Sequence, residues 1–380
     1  MNCRKVTNDV LVCFTLCLAS TLIEAYDLNY GSNKCWYPAI YNFGDSNSDT
    51  GAVYAVFTGV QPPNGETFFG NLSGRASDGR LIIDFISEEL KVPYLSAYLN
   101  SVGSNYRHGA NFATGGSSIR EGKGYSPFHL ALQVSQFIQF KSHTNILFNQ
   151  LSDNRTEPPF KSDLPRPEEF SKALYTFDIG QNDISFGLQH SSEKEVLTSF
   201  PNILSQFSQA VQQLYHEGAR MFWIHNTGPL GCLPYNYIYF EPKKGNLDAN
   251  GCVKPQNELA QEFNRQLKDQ VFQLRTKFPL AKFTYVDVYS AKYQLISNAR
   301  SQGFVSPLEF CCGSYYGYHI DCGKKAIVNG TVYGNPCKNP SQHISWDGIH
   351  YTQAANQWIA KHIIYGSFSD PPVPIGHACF

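Results

Sequence analysis

The chain has 380 residues, 42% of them hydrophobic and only 16% charged, which is enough apolar material to bury a large core. With 30 Lys and Arg against 31 Asp and Glu, the net charge of −1 offers no uniform field to a phosphate backbone or an anionic membrane. A globular protein is expected, and nucleic acid is excluded as an expected partner.

Arg4 and Lys5, an apolar run over residues 10–19, and Ile23-Glu24-Ala25 ahead of Tyr26 predict a secretory signal over residues 1–25, cleaved near Ala25. That run is shorter than the ~20 residues a bilayer-spanning helix needs. No later segment reads as a span, so stable membrane insertion is not expected. Residues 26–380 are expected to form a single domain in the extracellular space or cell wall. Asn71-Leu-Ser, Asn154-Arg-Thr and Asn329-Gly-Thr are N-glycosylation acceptors set among loop-forming residues.

Residues 38–43 predict a strand ending at Gly44, and Leu81, Ile82, Phe85, Ile86 and Leu90 then share one helical face. The alternation repeats. Residues 110–113 precede a helix bearing Leu130, Val134, Phe137 and Ile138, and residues 173–179 precede one bearing Ile203, Phe207, Val211 and Leu214 that stops at Gly218. A fourth strand at 220–225 leads to a helix with Leu259, Phe263, Leu267, Val271 and Leu274, and a fifth strand covers 283–288. Residues 149–169, rich in proline, read as a surface loop. Residues 303–343, rich in Cys, Gly and Tyr, show little periodicity and are expected to need disulfides. Because each parallel crossover needs a covering helix, this pattern predicts a three-layer α/β/α fold around a five-stranded parallel sheet. Such sheets bear their chemistry at the carboxyl ends of the strands.

Three segments stand at such places, and a fourth lies near the C-terminus. Phe43-Gly44-Asp45-Ser46-Asn47-Ser48-Asp49 follows the first strand, where a serine is exposed beside helix N–H groups; an ordinary Asp-Ser turn would look the same. Gly109 to Ser117, with Gly115-Gly116, follows the second, where a glycine lets a backbone N–H approach a substrate oxygen. Asp178-Ile179-Gly180-Gln181-Asn182-Asp183 ends the third, and the Asn182 carboxamide offers two donors to a developing oxyanion; a plain loop Asn is the ordinary alternative. Near the C-terminus, Ser345-Trp346-Asp347-Gly348-Ile349-His350 precedes a helical stretch through Trp358 and Ile364. Its Asp and His, three apart, can face the same way, so that the carboxylate fixes the imidazole tautomer.

Taken together, Ser, Gly, Asn and His in this order resemble the SGNH, or GDSL, hydrolases. "NFGDSNSDTG", "SDGRLIIDF", "HGANFATGG", "TFDIGQND", "GPLGCLP", "CCG" and "SWDGIHYTQAAN" are similar to the blocks of plant-type GDSL esterase/lipases, across essentially the whole chain after the signal. The resemblance implies a plant source, a flavodoxin-like sheet and hydrolysis of carboxylic esters. It implies Ser46 as nucleophile, His350 as general base and Asp347 as its orienter. The backbone of Ser46, Gly116 (or its neighbour Gly115) and Asn182 would be the oxyanion donors. Asn47 departs from the Leu usual in the family's name motif, a position outside the triad.

Other chemistries fit less well. There is no Gly-x-Ser-x-Gly elbow and no His-Glu-x-x-His, and the paired cysteines read as oxidised rather than zinc-bound, so neither metal nor cofactor is expected. Glu88-Glu89 and Glu168-Glu169 read as solvated helix faces rather than a glycosidase acid pair. A glycan- or lipid-binding protein with a dead site is the remaining alternative. The expected ligand is a small-molecule or polysaccharide ester, with acylated glycans, lipids and specialised metabolites all open and no protein partner implied.

Three of the 11 cysteines (Cys3, Cys13, Cys17) leave with the signal, and the eight that remain predict disulfides in an exported chain. Adjacent Cys311 and Cys312 do not pair with each other, since consecutive Cα atoms lie ~3.8 Å apart and a disulfide spans roughly 4.4–6.8 Å. Local pairing leaves Cys311–Cys322 with Cys312–Cys337, or Cys311–Cys337 with Cys312–Cys322.

Overall fold

The computed structural model describes residues 34–57, 61–151, 159–240, 242–243, 245–315 and 319–380. The expected signal and the sequon at Asn154 lie outside them. In chain order the elements are β1 (Ile40–Gly44), α1 (Ala52–Val56), α2 (Glu66–Phe69), α3 (Ile82–Glu89), β2 (Gly109–Asn111), α4 (Leu130–Leu151), β3 (Leu174–Asp178), α5 (Gln181–His190), α6 (Glu193–His216) and β4 (Met221–His225). There follow α7 (Pro234–Tyr239), α8 (Lys254–Lys277), β5 (Lys282–Val286), α9 (Val288–Ser297), β6 (Ala326–Val328), β7 (Thr331–Tyr333), α10 (Gln353–Ile364) and β8 (Ser369–Asp370).

The main sheet runs β2-β1-β3-β4-β5-β8. Its first five strands are the five expected ones, all parallel, and the sixth is a correction: β8 pairs antiparallel with β5 through Tyr285 with Asp370 and Val286 with Ser369. A strand of two residues is too short to show any alternation. Every residue of β1, β3 and β4 is buried, as expected for strands covered on both faces. Helices α4, α6 and α8 pack side by side in one layer, and α3, α10 and α9 in another. Toward the first layer the sheet presents aromatic rings. Phe43 lies against Phe137 of α4, and Phe177 against Phe207 of α6.

The opposite face of β1 is polar at one point. Asn42, 1% exposed, accepts from Thr176 Oγ1 (2.7 Å) and donates to Asn111 Oδ1 (2.7 Å) and Ser48 Oγ (3.0 Å). Asn111 in turn donates to the Ser48 carbonyl (2.6 Å) and Thr50 Oγ1 (3.0 Å). This ladder crosses three strands and ends in the loop after β1.

Two local readings change. Glu169 is not on a solvated face: it is 5% exposed and forms a two-pronged ion pair with Arg107 that holds its carboxyl below the usual range although burial opposes this. The segment 303–343 contains a β6–β7 hairpin whose tip, Asn329-Gly330, has the paired positive φ of 49° and 80° that such turns require. Asn329 and Asn71 are both exposed.

All eight remaining cysteines are bonded: Cys35–Cys379, Cys232–Cys252, Cys311–Cys337 and Cys312–Cys322. The local cluster thus takes the second of the two open pairings. Cys311, Cys312 and Trp346 form a small core of their own, and the N–H groups of Cys311 and Cys312 both donate to the Trp346 carbonyl (2.9 and 2.7 Å). These two bonds brace the segment that contains Asp347 and His350. Replacing the Cys311/Cys337 pair by alanine is therefore expected to lower ester hydrolysis at temperatures where the sheet is still folded by circular dichroism. Loss of activity only together with the sheet signal would contradict this bracing role.

Candidate active site

Ser46 sits one turn beyond β1, where the chain must leave the sheet sharply. Gly44 makes that exit possible, since a Cβ there would stand 2.4 Å from Ser48 Oγ and 2.6 Å from the Asp178 carbonyl. Both backbone groups of Gly44 are met by one buried side chain from α4: its N–H donates to Gln133 Oε1 (2.9 Å) and its carbonyl accepts from Gln133 Nε2 (2.8 Å). The loop then closes on Asp49. This carboxylate, 2% exposed, accepts from the N–H groups of Gly51 (2.7 Å), Ala52 (2.6 Å) and Val53 (2.9 Å) at the start of α1, and from Gly115 (2.8 Å) across the cleft.

That last bond separates the two glycines that sequence left open. Gly115 spends its N–H on Asp49. The N–H groups of Gly116, where φ is +77°, and of Ser46 have no acceptor among the described residues, and both residues line the cleft. The third expected donor, Asn182, lies in the first turn of α5, a helix that the sequence reading did not separate from the loop after β3. Its Nδ2 donates to the Ser117 carbonyl (2.9 Å) and to Asp45 Oδ2 (3.2 Å).

His350 reaches Ser46 from the far end of the chain. Its Nε2 lies 2.7 Å from Ser46 Oγ, and its Nδ1 lies 2.6 Å from Asp347 Oδ2. The other oxygen of Asp347 accepts from the N–H groups of Ile349 (2.9 Å) and His350 (2.7 Å). Burial opposes the charge on Asp347, but the imidazole and these N–H groups outweigh it and hold the carboxyl below its usual range. Burial likewise opposes charge on His350, yet the charge and hydrogen bond of Asp347, with Asp45 beyond, raise the imidazole above its usual value. Asp183 faces elsewhere: it accepts from Ile119 N–H (2.7 Å) and pairs with Arg120.

The His350 segment is braced by residues after α2. Ser77 Oγ donates to the Tyr351 carbonyl (3.0 Å), and Asp78 Oδ1 accepts from Gln353 N–H (2.7 Å) at the start of α10. Asp45, Asp49, Gln133, Ser77 and Asp78 all serve the site, and sequence reasoning missed these roles. Asp45, Asp49, Ser77 and Asp78 stood inside the quoted blocks, whereas Gln133 on a helix gave no signal. Cys311, Cys337 and His343 are close together but are not a metal set, because the two sulfurs bond each other.

The cleft above Ser46 and His350 has a volume of about 400 Å³. Tyr54, Tyr125, Tyr235 and Tyr315 supply aromatic walls, and the carboxamides of Gln189 and Asn236 supply polar ones.

The model of the GDSL-like lipase/acylhydrolase family matches residues 40–363. The chain belongs to that family. It is 53% identical over 355 residues to a GDSL esterase/lipase of Arabidopsis thaliana, covering 91% of this chain and 90% of the relative. It is 49% identical to a GDSL esterase/lipase of Zea mays, covering 91% and 89%, and 47% identical to a protein of Arabidopsis thaliana named alpha-L-fucosidase 3, covering 92% and 95%. The fold is that of the GDSL hydrolases, mixed α/β with a mainly parallel sheet, and the chain is an ester hydrolase of the esterase/lipase class. Substrates of the class are small-molecule or lipid esters.

Asp49→Ala would leave three buried N–H donors and one part-buried one without their acceptor, at about 1–3 kcal/mol for each buried one before relaxation. The variant is expected to lose more than about 3 kcal/mol of stability in urea unfolding. A variant as stable as the parent would show the carboxylate to be dispensable.

Proposed function

We propose that Ser46, His350 and Asp347 are the catalytic residues and that ester hydrolysis proceeds through an acyl-Ser46 intermediate. The observation behind this reading is the unbroken chain from Asp347 through both ring nitrogens of His350 to Ser46 Oγ. His350 Nε2 takes the Ser46 proton as Oγ attacks the ester carbonyl carbon. The oxyanion forms beside the N–H groups of Ser46 and Gly116 and the Asn182 carboxamide, fixed dipoles that need no reorientation. Collapse expels the alcohol, which takes the proton from His350. Water, deprotonated by the same imidazole, then releases the acid and restores Ser46.

The tyrosine walls and carboxamides of the cleft support acyl groups on a sugar or other hydroxyl-rich alcohol as substrates, since ring faces and amides suit C–H and O–H groups together. A glycosidase would need two available carboxyls. On the cleft wall Asp49 is spent on backbone N–H groups, and Asp321 pairs with His319 and Lys324. The intact hydrogen-bonded chain also speaks against a binding protein with a dead site.

Secretion, with cleavage near Ala25 and residues 26–380 as one domain, is supported by the four disulfides and by the single sheet that gathers segments from Ile40 to Asp370. Among the described residues no helix is long and apolar enough to cross a membrane. We propose the sequons at Asn71, Asn154 and Asn329 as glycosylation sites.

Ser46→Ala is expected to abolish hydrolysis with secretion unchanged, and an organophosphorus ester should label Ser46 alone; retained turnover would remove the nucleophile assignment. Asn182→Ala should lower kcat on the order of 10²–10³ with KM little changed. Loss mainly in KM would make Asn182 a substrate anchor instead.

Because the base must be neutral and its pKa is raised, kcat/KM should fall as pH drops through a midpoint above the ~6.5 of a free imidazole. Asp347→Asn removes the main upward pull, so its midpoint should move down while kcat drops by ~10³ or more. An upward move would put the acid's influence elsewhere.

A further inference from the structure

Two blocks of the sequence, Gly228 to Pro234 and Cys311-Cys312-Gly313, lead into the segments that wall the cleft beside His350. The first runs into α7, which docks on the turn between Asp347 and His350: Tyr235 N–H donates to the Gly348 carbonyl (3.0 Å). The second leads to Tyr315, whose ring presses on the same glycine. A Cβ on Gly348, where φ is +90°, would stand 2.9 Å from Tyr315 Cε2. The rings of Tyr235 and Tyr315 meet edge to face, with centroids 5.6 Å apart and planes at 85°, and both residues line the cleft together with Ser46 and His350.

This corner is fixed from behind. Tyr315 is 8% exposed and rests on Phe310 (5.2 Å between centroids). Its segment is closed by the Cys312–Cys322 bond and by the mutual N–H to carbonyl bonds of Ser314 and Ile320 (2.8 and 2.7 Å). Tyr239 of α7 lies against Tyr235 (4.3 Å) and is hydrogen-bonded through its hydroxyl to His319 Nδ1, so α7 and the Tyr315 segment are also joined to each other.

The chemistry of acyl transfer says which half of an ester meets this corner. In the tetrahedral adduct the ester carbon bears Ser46 Oγ, the oxyanion, the alcohol oxygen and the acyl carbon. The oxyanion faces Gly116 and Asn182, on a wall continued by Tyr125, whose N–H donates to the Gly116 carbonyl (2.8 Å). As the bond from the ester carbon to the alcohol oxygen breaks, that oxygen keeps the electron pair and takes the proton from His350 Nε2, so it must lie within hydrogen-bond reach of the imidazole. The alcohol therefore extends from the His350 side of the adduct, and the surface tied to the His350 turn is the tyrosine corner.

We propose that the Tyr235–Tyr315 corner is the subsite for the alcohol half of the ester and selects ring-shaped alcohols, whose C–H faces lie against the two rings. This rests on the reading of Ser46 and His350 as the reacting pair. A ring seated in a right-angled corner touches both tyrosines at once, whereas a short linear alcohol leaves most of that aromatic surface uncovered. The preference belongs in kcat/KM, which covers the steps up to alcohol release, because deacylation by water involves no alcohol.

The test uses the full chain with two pairs of probes: ethyl and cyclohexyl acetate share an acyl group, and p-nitrophenyl acetate and butyrate share an alcohol. The parent should show the higher kcat/KM on cyclohexyl acetate, although the secondary ester is intrinsically the less reactive. Tyr235→Leu keeps the N–H bond to Gly348. It should lower the cyclohexyl-to-ethyl ratio of kcat/KM about tenfold, the upper end of what one ring contact contributes, and move the butyrate-to-acetate ratio less than about twofold. An unchanged cyclohexyl-to-ethyl ratio, or an equal shift in the butyrate-to-acetate ratio, overturns the proposal. If Tyr235→Leu fails to fold by circular dichroism, the parent decides alone, and a higher kcat/KM on ethyl than on cyclohexyl acetate overturns it. Ser46→Ala run alongside separates the two readings. Activity in that variant defeats the nucleophile assignment itself, whereas an inert Ser46→Ala with a parental cyclohexyl-to-ethyl ratio in Tyr235→Leu defeats the alcohol subsite alone.

Discussion

One buried carboxamide, Asn42, ties the sheet to the loop that bears Ser46. Its oxygen accepts from Thr176 on β3, and its nitrogen donates to Asn111 on β2 and to Ser48. Every polar atom of that side chain is met, which is the condition under which a polar group in a dry interior stabilises one arrangement rather than many. The strands therefore cannot slide relative to the Ser46 turn without breaking the ladder. A register shift of one residue would put Asn42 among the aromatic rings of the opposite face.

On that foundation the site is assembled from two arms of different origin. The serine arm belongs to the sheet: β1, the Gln133 bridge and the Asp49 cap define it. The histidine arm is a segment after the last large loop, tied by Ser77 and Asp78 on one side and by the Cys311, Cys312 and Trp346 core on the other. The arms meet across 304 residues in one 2.7 Å contact. Two of the four disulfides, Cys311–Cys337 and Cys312–Cys322, cross-link the loop that precedes the histidine arm.

Burial pushes the pKa of both Asp347 and Asp45 up, and their other neighbours give the two acids opposite characters. Asp347 is held ionised by N–H donors and the imidazole, whereas Asp45, with a second carboxylate as neighbour, is raised to about 7. The same residue type is thus held ionised beside the imidazole at position 347 and raised toward neutrality ahead of Ser46 at position 45, a difference set by surroundings.

What the sequence by itself determined was whatever depends on local pattern: five strands whose apolar runs need burial on both faces, the helical stripes that cover them, and Ser46, Asn182, Asp347 and His350 at the ends of those elements. Within the cluster of Cys311, Cys312, Cys322 and Cys337, local pairing was legible down to two alternatives, whereas the Cys35–Cys379 and Cys232–Cys252 bonds were not read. Only the tertiary structure chose between the two alternatives, because the choice depends on which sulfurs the folded loop brings together. It also showed that the Asp49 carboxylate takes the Gly115 N–H across the cleft, while that of Gly116 has no acceptor among the described residues. Strand β8, the burial of Glu169 against Arg107, and Gln133 beneath the Ser46 turn were not legible for the same reason. Each depends on a partner distant in the chain, and a polar side chain shows no sign of burial until the fold supplies that partner.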